Sequence, residues 1–273
     1  MTLSKILAIA GILTTGMAAL SVPAQAFSFT TNFNGGQGFD AKKDILLDSV
    51  TLKDGTIVDQ FSLVSKVSMI YNDEYIGGNT GAASTDLGDW ATTGVRAEKA
   101  SNQDIVAVLN NNNLNNIVDT EDTGRFIFDL AFESVVDNIY LWERGMNSQL
   151  KLQALDEKGN LLGAAFELSN SRNWDYAGFS IDTQEINGAQ KVGSLGISLA
   201  DLGVSNAYIS GLRIISEGKA YNGPDWKVMG SVAEVAQVSF ESNATAVPEP
   251  ASLLGLAVLG GAAALRRRKQ QAA

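Results

Sequence analysis

Alternation of apolar and polar residues with a period of two recurs along this chain, and it restricts the fold more than any other feature. Successive side chains of a strand point to opposite faces, whereas a helix repeats every 3.6 residues. The clearest instance is Phe61-x-Leu63-x-Ser65-x-Val67-x-Met69-x-Tyr71, with Ser62, Lys66 and Ser68 facing the other way. It predicts one long half-buried strand. Ile45 to Lys53 precedes it, and Asp54-Gly55 offers a turn through which the two would pair, since glycine accepts the positive φ of tight hairpins.

Farther on, Phe126, Phe128, Leu130 and Phe132 line one face, Ile139 to Trp142 continues after a short turn, and Leu150, Leu152 and Ala154 alternate with Lys151 and Gln153. A polar turn over residues 156–160 returns into Leu161 to Leu168, so this part reads as a meander. Trp174 to Ile181, Val192 to Leu199, Tyr208 to Ser216 and Val232 to Phe240 are further candidates. Short strands spaced by Gly, Asn and Asp turns predict an all-β fold, a single jelly-roll-like β-sandwich, and argue against βαβ units. One short helix is expected, because Ser101 and Asp104 form a capping box ahead of Ile105, Val106, Val108 and Leu109. The Asn-rich stretch 110–116 reads as a structured loop.

The two ends follow a different pattern. Lys5, the apolar run Ile6 to Leu20 and the small-x-small triplet Ala24-Gln25-Ala26 have the layout of a secretory signal peptide, with cleavage leaving Phe27 as the new N-terminus. Near the other end stand Val247-Pro248-Glu249-Pro250, an apolar stretch from Ala251 to Leu265, and Arg266-Arg267-Arg268-Lys269. Those 15 apolar residues are fewer than the roughly 20 that cross a bilayer comfortably, so a thin or temporary transmembrane helix is expected. The basic cluster acts as a stop-transfer signal, since carrying Arg or Lys through the bilayer centre costs about 2.5 to 3.5 kcal/mol each. The expected division is residues 1–26 as signal, 27–246 as one surface domain, and 247–273 as membrane tail. Pro224 is the sole proline of the middle region, and no Pro/Ser-rich or Gly-rich spacer divides it.

The tail resembles the PEP-CTERM sorting signal. That family is cut by exosortase, a membrane-embedded transpeptidase-like cysteine protease, during transfer to the cell surface, so the resemblance implies exosortase and the secretion machinery as partners. It also implies an envelope or extracellular-matrix destination in an exopolysaccharide-producing Gram-negative bacterium. The plainer alternative is an uncleaved C-terminal anchor. In the middle region, residues 113–122 and Trp142-Glu143-Arg144-Gly145-Met146-Asn147-Ser148 resemble a cyanobacterial group of exosortase-dependent surface proteins, which implies no assigned enzymatic activity.

Composition excludes several chemistries. Taking Lys5 and the four tail basics from 20 Lys+Arg, and Glu249 from 30 Asp+Glu, leaves 15 against 29, a body charge of −14. Such a surface repels phosphate backbones, so nucleic acid is not an expected partner. With no cysteine and no histidine, disulfides, metal–thiolate sites, Ser-His-Asp and Cys-His systems and HExxH zinc sites are all unavailable. About 220 residues can form an adequate core without staples.

Three uses of the remaining chemistry compete with structural readings. Paired acids among Asp86, Asp89, Asp119, Glu121, Asp122, Glu143, Asp175 and Asp225 could hydrolyse a glycosidic bond, although 29 body acids cluster by chance. Asn115, Asp119, Glu121 and Asp122 could offer hard oxygens to Ca²⁺, against the reading of a solvated acidic turn, and the spacing of an EF-hand loop is absent. Trp90, Trp174, Tyr176, Tyr221 and Trp226 stand in Asp/Asn/Gly-rich surroundings and could stack on sugars, against burial under loops. Trp142 reads as core, with Glu143-Arg144 as a local ion pair or turn partner. Arg144 and Arg213 read as carboxylate partners in a structural network. The resulting expectation is a non-enzymatic surface or matrix protein that binds carbohydrate, with a two-carboxylate glycoside hydrolase and a self-associating coat component as alternatives.

Overall fold

The computed structural model describes residues 26–34, 40–76, 81–84, 97–168, 174–182, 187–206 and 208–234. The signal segment with Ala24, the sorting motif Val247–Pro250, the expected transmembrane helix, the basic tail and Trp90 lie outside them. The strands are β1 (Phe29–Phe33), β2 (Leu47–Leu52), β3 (Ile57–Val58), β4 (Phe61–Ser62), β5 (Val64–Asn72), β6 (Ala82–Ser84), β7 (Val118–Thr120) and β8 (Arg125–Arg144). They continue with β9 (Leu150–Leu155), β10 (Leu161–Leu168), β11 (Asp175–Ile181), β12 (Gln190–Ser198), β13 (Ile209–Glu217) and β14 (Asp225–Val232). A single helix among the described residues, α1 (Asn102–Leu109), carries the expected capping box of Ser101 and Asp104.

β8 organises everything else. It runs unbroken for 20 residues, so the turn expected between Phe132 and Ile139 does not exist. The strand instead changes neighbours. Up to Phe132 it lies between β5 and β13, and from Asn138 onward between β12 and β14. Glu133 and Ser134 are exposed where this exchange occurs, and the Ser62 hydroxyl donates to Ser134 O (3.0 Å) and accepts from Ser134 N (2.7 Å).

Two apolar clusters explain the sandwich. One gathers Phe126, Phe128, Leu130 and Phe132 with Ile139, Leu141, Trp226 and Val228, and α1 contributes Ile105, Val108 and Leu109 to it. The other joins Tyr140, Trp142, Val192 and Met229 to Phe29, Leu47 and Val50 of the separate β1-β2-β3 sheet. The second half of β8 and its neighbours thus have core on both faces, which is why residues 139–144 and 226–231 are buried without alternation. Each fully buried Leu, Ile, Val or Phe contributes about 1.5–3 kcal/mol. Trp142 is core as expected, and its Nε1 donates to Thr31 Oγ1 at 3.0 Å.

Several expectations are corrected. The turn at Asp54-Gly55 forms, with Gly55 at φ +90°, but it returns into the two residues of β3. Residues 61–72 pair instead with β14 and β8, as β4 and β5. Bulges between Val64 and Lys66 and between Met69 and Tyr71 reset the facing, so Val64 and Val67 are both buried while Ser65 and Tyr71 are exposed. The meander fails because β13 inserts between β8 and β9, giving the order β10-β9-β13-β8. The last strand spans Asp225–Val232; most of the stretch expected there, 235–240, lies outside the described residues. The Asn-rich loop is structured as expected. Asn113 Oδ1 accepts from Ile45 N (3.0 Å), and Asn115 Nδ2 donates to Lys43 O (2.9 Å), so amide side chains stand in for a strand along the entry to β2.

Candidate functional site

Two places concentrate chemistry. The first is a buried charge cluster where β7, β8 and β14 end. Arg144 Nη2 donates to Asp119 Oδ2 and Asp225 Oδ2, each at 2.9 Å, and its Nε donates to Asp225 Oδ2 at 3.1 Å. Asp225 Oδ1 also accepts from Thr120 N (3.0 Å). The expected network role of Arg144 is therefore present, but across strands and not with the adjacent Glu143.

Glu143 points to the opposite face of β8, fully buried, and no donor meets hydrogen-bond geometry to either carboxyl oxygen. Burial pushes its pKa up to about 8. The Ser148 hydroxyl and the Met146 and Asn147 amides oppose that rise, but the Ser148 hydroxyl is directed to Asn222 O at 2.7 Å. Two carboxyls share one guanidinium here, and an uncharged Glu143 keeps a third negative charge out of this end of the molecule.

The segment 142–148 singled out in the sequence builds this end of the molecule. Gly145 (φ 106°) and Met146 (φ 58°) turn the chain after β8, and Asn222 (φ 55°) and Gly223 (φ 47°) turn it before β14. At Gly223 a Cβ would lie 2.4 Å from Thr120 O, so the loops close on one another over the charges.

This architecture corrects the aromatic and calcium assignments. Trp226 is completely buried in the cluster that α1 joins, stacked at 6.0 Å on Phe126. Trp174 is buried with Nε1 donating to Ser148 O (3.2 Å), and Tyr221 is buried with its hydroxyl donating to Glu167 Oε1 (2.8 Å). None of the three presents a face to a sugar. Asp225 beside Trp226 is consumed in the internal network, whereas Asp175 and Asn222 beside the other two rings face solvent. Tyr176 alone of the described set is exposed, at 50%, with Lys191 Nζ 5.4 Å from its ring centre. Asn115 and Asp119 are both buried, Asn115 tied to Lys43 O and Asp119 to Arg144, while Asp122 is exposed. The cation opposite Asp119 is a guanidinium, and among the described residues no group of three or more acids is arranged to hold a metal ion.

The second place was not foreseen. A groove of about 370 Å³ crosses the outer face of β13, β8 and β5, walled by the turn from Leu155 to Gly159 on one side and by Lys66 and Ser68 on the other. Its floor is shallow-sided because Ala131 and Gly211 face each other in register. A Cβ on Gly211 would lie 2.2 Å from Leu130 O, so only glycine fits there. A second depression of about 240 Å³ shares Asp156, Glu157, Lys158 and Ser210 and extends the groove to Asn206 and Tyr208, the latter 43% exposed. Asp129 at the floor is held by Arg213 (2.7 and 2.8 Å), as expected for that arginine, and Asp156 is held by the amides of its own turn. Small side chains carry no chemical signature in a sequence, which is why this surface escaped notice.

At the termini, Phe27 donates its N–H to Gly196 O and accepts from Gly196 N, both at 2.8 Å, with its ring edge-on to Tyr140. The residue expected to follow the cleavage site is thus, among the described residues, the first one paired with the sheet.

Comparison with known proteins gives one family match: the PEP-CTERM protein-sorting motif, over residues 246–269. This motif implies an exported protein that exosortase processes and that is transiently anchored in the membrane. No curated protein and no solved structure matches the chain. The resemblance of the middle region to cyanobacterial surface proteins therefore stands on its sequence alone.

Proposed function

We propose that the chain is a non-catalytic β-sandwich module of the cell surface or extracellular matrix, and that it holds polysaccharide along the groove between Lys66 and Tyr208. The observation that carries the reading is the sorting motif at residues 246–269. The binding site is supported by a long polar trough whose Ser, Asp, Glu and Lys groups alternate donors and acceptors beside the accessible Tyr208 ring. Sugars are recognised by that combination of stacking and hydroxyl hydrogen bonds. A hydrolase finds less support. Asp119 and Asp225 are engaged by Arg144, Glu143 is sealed inside, and Asp129 and Asp156 in the groove are committed to Arg213 and to a turn.

Two experiments test the two halves. Fractionation of cells carrying the wild type, a Glu249→Ala variant and a tail deletion should show surface or matrix delivery of the wild type only; equal delivery of all three refutes the sorting role. Pull-down on extracellular polysaccharide should retain the wild type and lose most retention with Tyr208→Ala, whereas Tyr176→Ala leaves it unchanged. No retention of the wild type rules out the binding role.

A further inference from the structure

Lys227 belongs to neither site. It sits on β14 with no exposed surface, and its Nζ donates to Val108 O (2.5 Å) and Asn111 Oδ1 (3.1 Å) where α1 ends. Burial alone, with no carboxylate contributing, pulls its pKa well below the ordinary lysine range. An uncharged amine carries a free lone pair and is a nucleophile.

Its acceptor is arranged in a matching way. Asn111 Oδ1 also accepts from the Asn113 backbone N–H (3.0 Å) and from Asn116 Nδ2 (3.3 Å). The two donors other than the amine can stay on this carbonyl oxygen during attack, as a developing oxyanion needs. The amide nitrogen of Asn111 donates to Ala107 O (2.9 Å) and Val108 O (3.1 Å). Amine and amide nitrogen therefore share Val108 O, and the carboxamide carbon lies one bond from the oxygen that the amine touches. Groups fixed next to one another in this way react as one molecule.

We propose that Lys227 and Asn111 become joined by an intramolecular amide bond between Nζ and Cγ. The Nζ lone pair attacks Cγ, the tetrahedral oxygen is held by the Asn113 and Asn116 donors, and the Cγ–Nδ2 bond breaks. One Nζ proton leaves with Nδ2 as ammonia, and the other remains as the N–H of the new amide, for which Val108 O is the acceptor. Carbon, nitrogen and hydrogen balance with no oxidant or co-reactant. The product ties the end of α1 to a central strand across 116 positions of sequence, in a chain that has no cysteine for a staple. The inference does not depend on the groove or on polysaccharide.

Mass spectrometry of the full-length chain, aged in the folded state, decides the matter without any variant. The expected result is a protein lighter than its sequence by one ammonia, yielding on digestion a branched peptide that contains both Asn111 and Lys227. Chain kept in urea for the same time should retain the full mass, as should folded Asn111→Ala protein. Recovery of unmodified Asn111 and Lys227 peptides from aged folded protein overturns the proposal. So does conversion of Asn111 to aspartate, because water would then have reached Cγ in place of the amine.

Discussion

Replacing Glu143 with glutamine tests the buried carboxyl most directly. The amide has nearly the same shape as the protonated acid but cannot ionise, so the substitution isolates the cost of charging this site. In the unfolded chain the carboxyl titrates near 4.5, and in the fold near 8. Between those limits the folded state binds one proton more than the unfolded state. Stability is therefore fully present below pH 4.5 and declines as pH rises towards 8, by about 1.4 kcal/mol per pH unit. At pH 7 the accumulated loss is about 3 kcal/mol, a large part of an ordinary domain's stability. Arg144 offsets little of this, since it already faces Asp119 and Asp225. Urea unfolding of the wild type and the Glu143→Gln variant at pH 5, 6, 7 and 8 reads the effect. The variant should gain on the wild type with each step upward, by several kcal/mol in all. Parallel curves would show that Glu143 is not a buried neutral acid, and the account of this end of the molecule would fail.

Other substitutions probe separate contacts. Arg144→Leu leaves two buried carboxyls without their cation and should cost about 3–5 kcal/mol in chemical unfolding at neutral pH, with part recovered on acidification. Gly196→Ala places a Cβ 2.1–2.4 Å from Phe27 ring atoms; displacing that ring should destabilise by about 1–3 kcal/mol in thermal melts, and a chain that starts after Phe27 should tolerate the alanine. Ser101→Ala removes the hydroxyl that caps α1 and should cost about 1 kcal/mol. Because Asp119 is satisfied by Arg144, millimolar calcium and EDTA should give the same melting temperature; a rise with calcium would restore a metal role for the 115–122 segment.

The sequence disclosed strands wherever one face meets solvent. Leu150, Leu152 and Ala154 alternate cleanly because β9 has a wet side, and the phenylalanines of the first half of β8 do the same. The signal disappears where both faces are covered. Asp225-Trp-Lys-Val-Met-Gly-Ser lies outside the expected strands, yet with Val232 it forms a central strand with two cores. Bulges are equally silent, since one extra residue in 61–72 exchanges inside for outside without altering composition. Tertiary pairing set the strand order, and no local pattern announces that β13 will separate β8 from β9. Among candidate site residues, Trp174, Tyr221 and Trp226 misled because polar neighbours suggest water, whereas the rings themselves are buried even where those neighbours face solvent. The capping box and the Gly55 turn were legible because their chemistry is local.

The exit of the chain from β14 has a mechanical consequence. Eight residue pairs register β14 against β8, and antiparallel backbone bonds run across the strand direction. A pull applied at Glu234 along the direction of β14 would strain those rungs together in shear and could not peel them singly. Load carried along β14 would meet the interior of the sandwich first, and the outer strands would be the last to feel it.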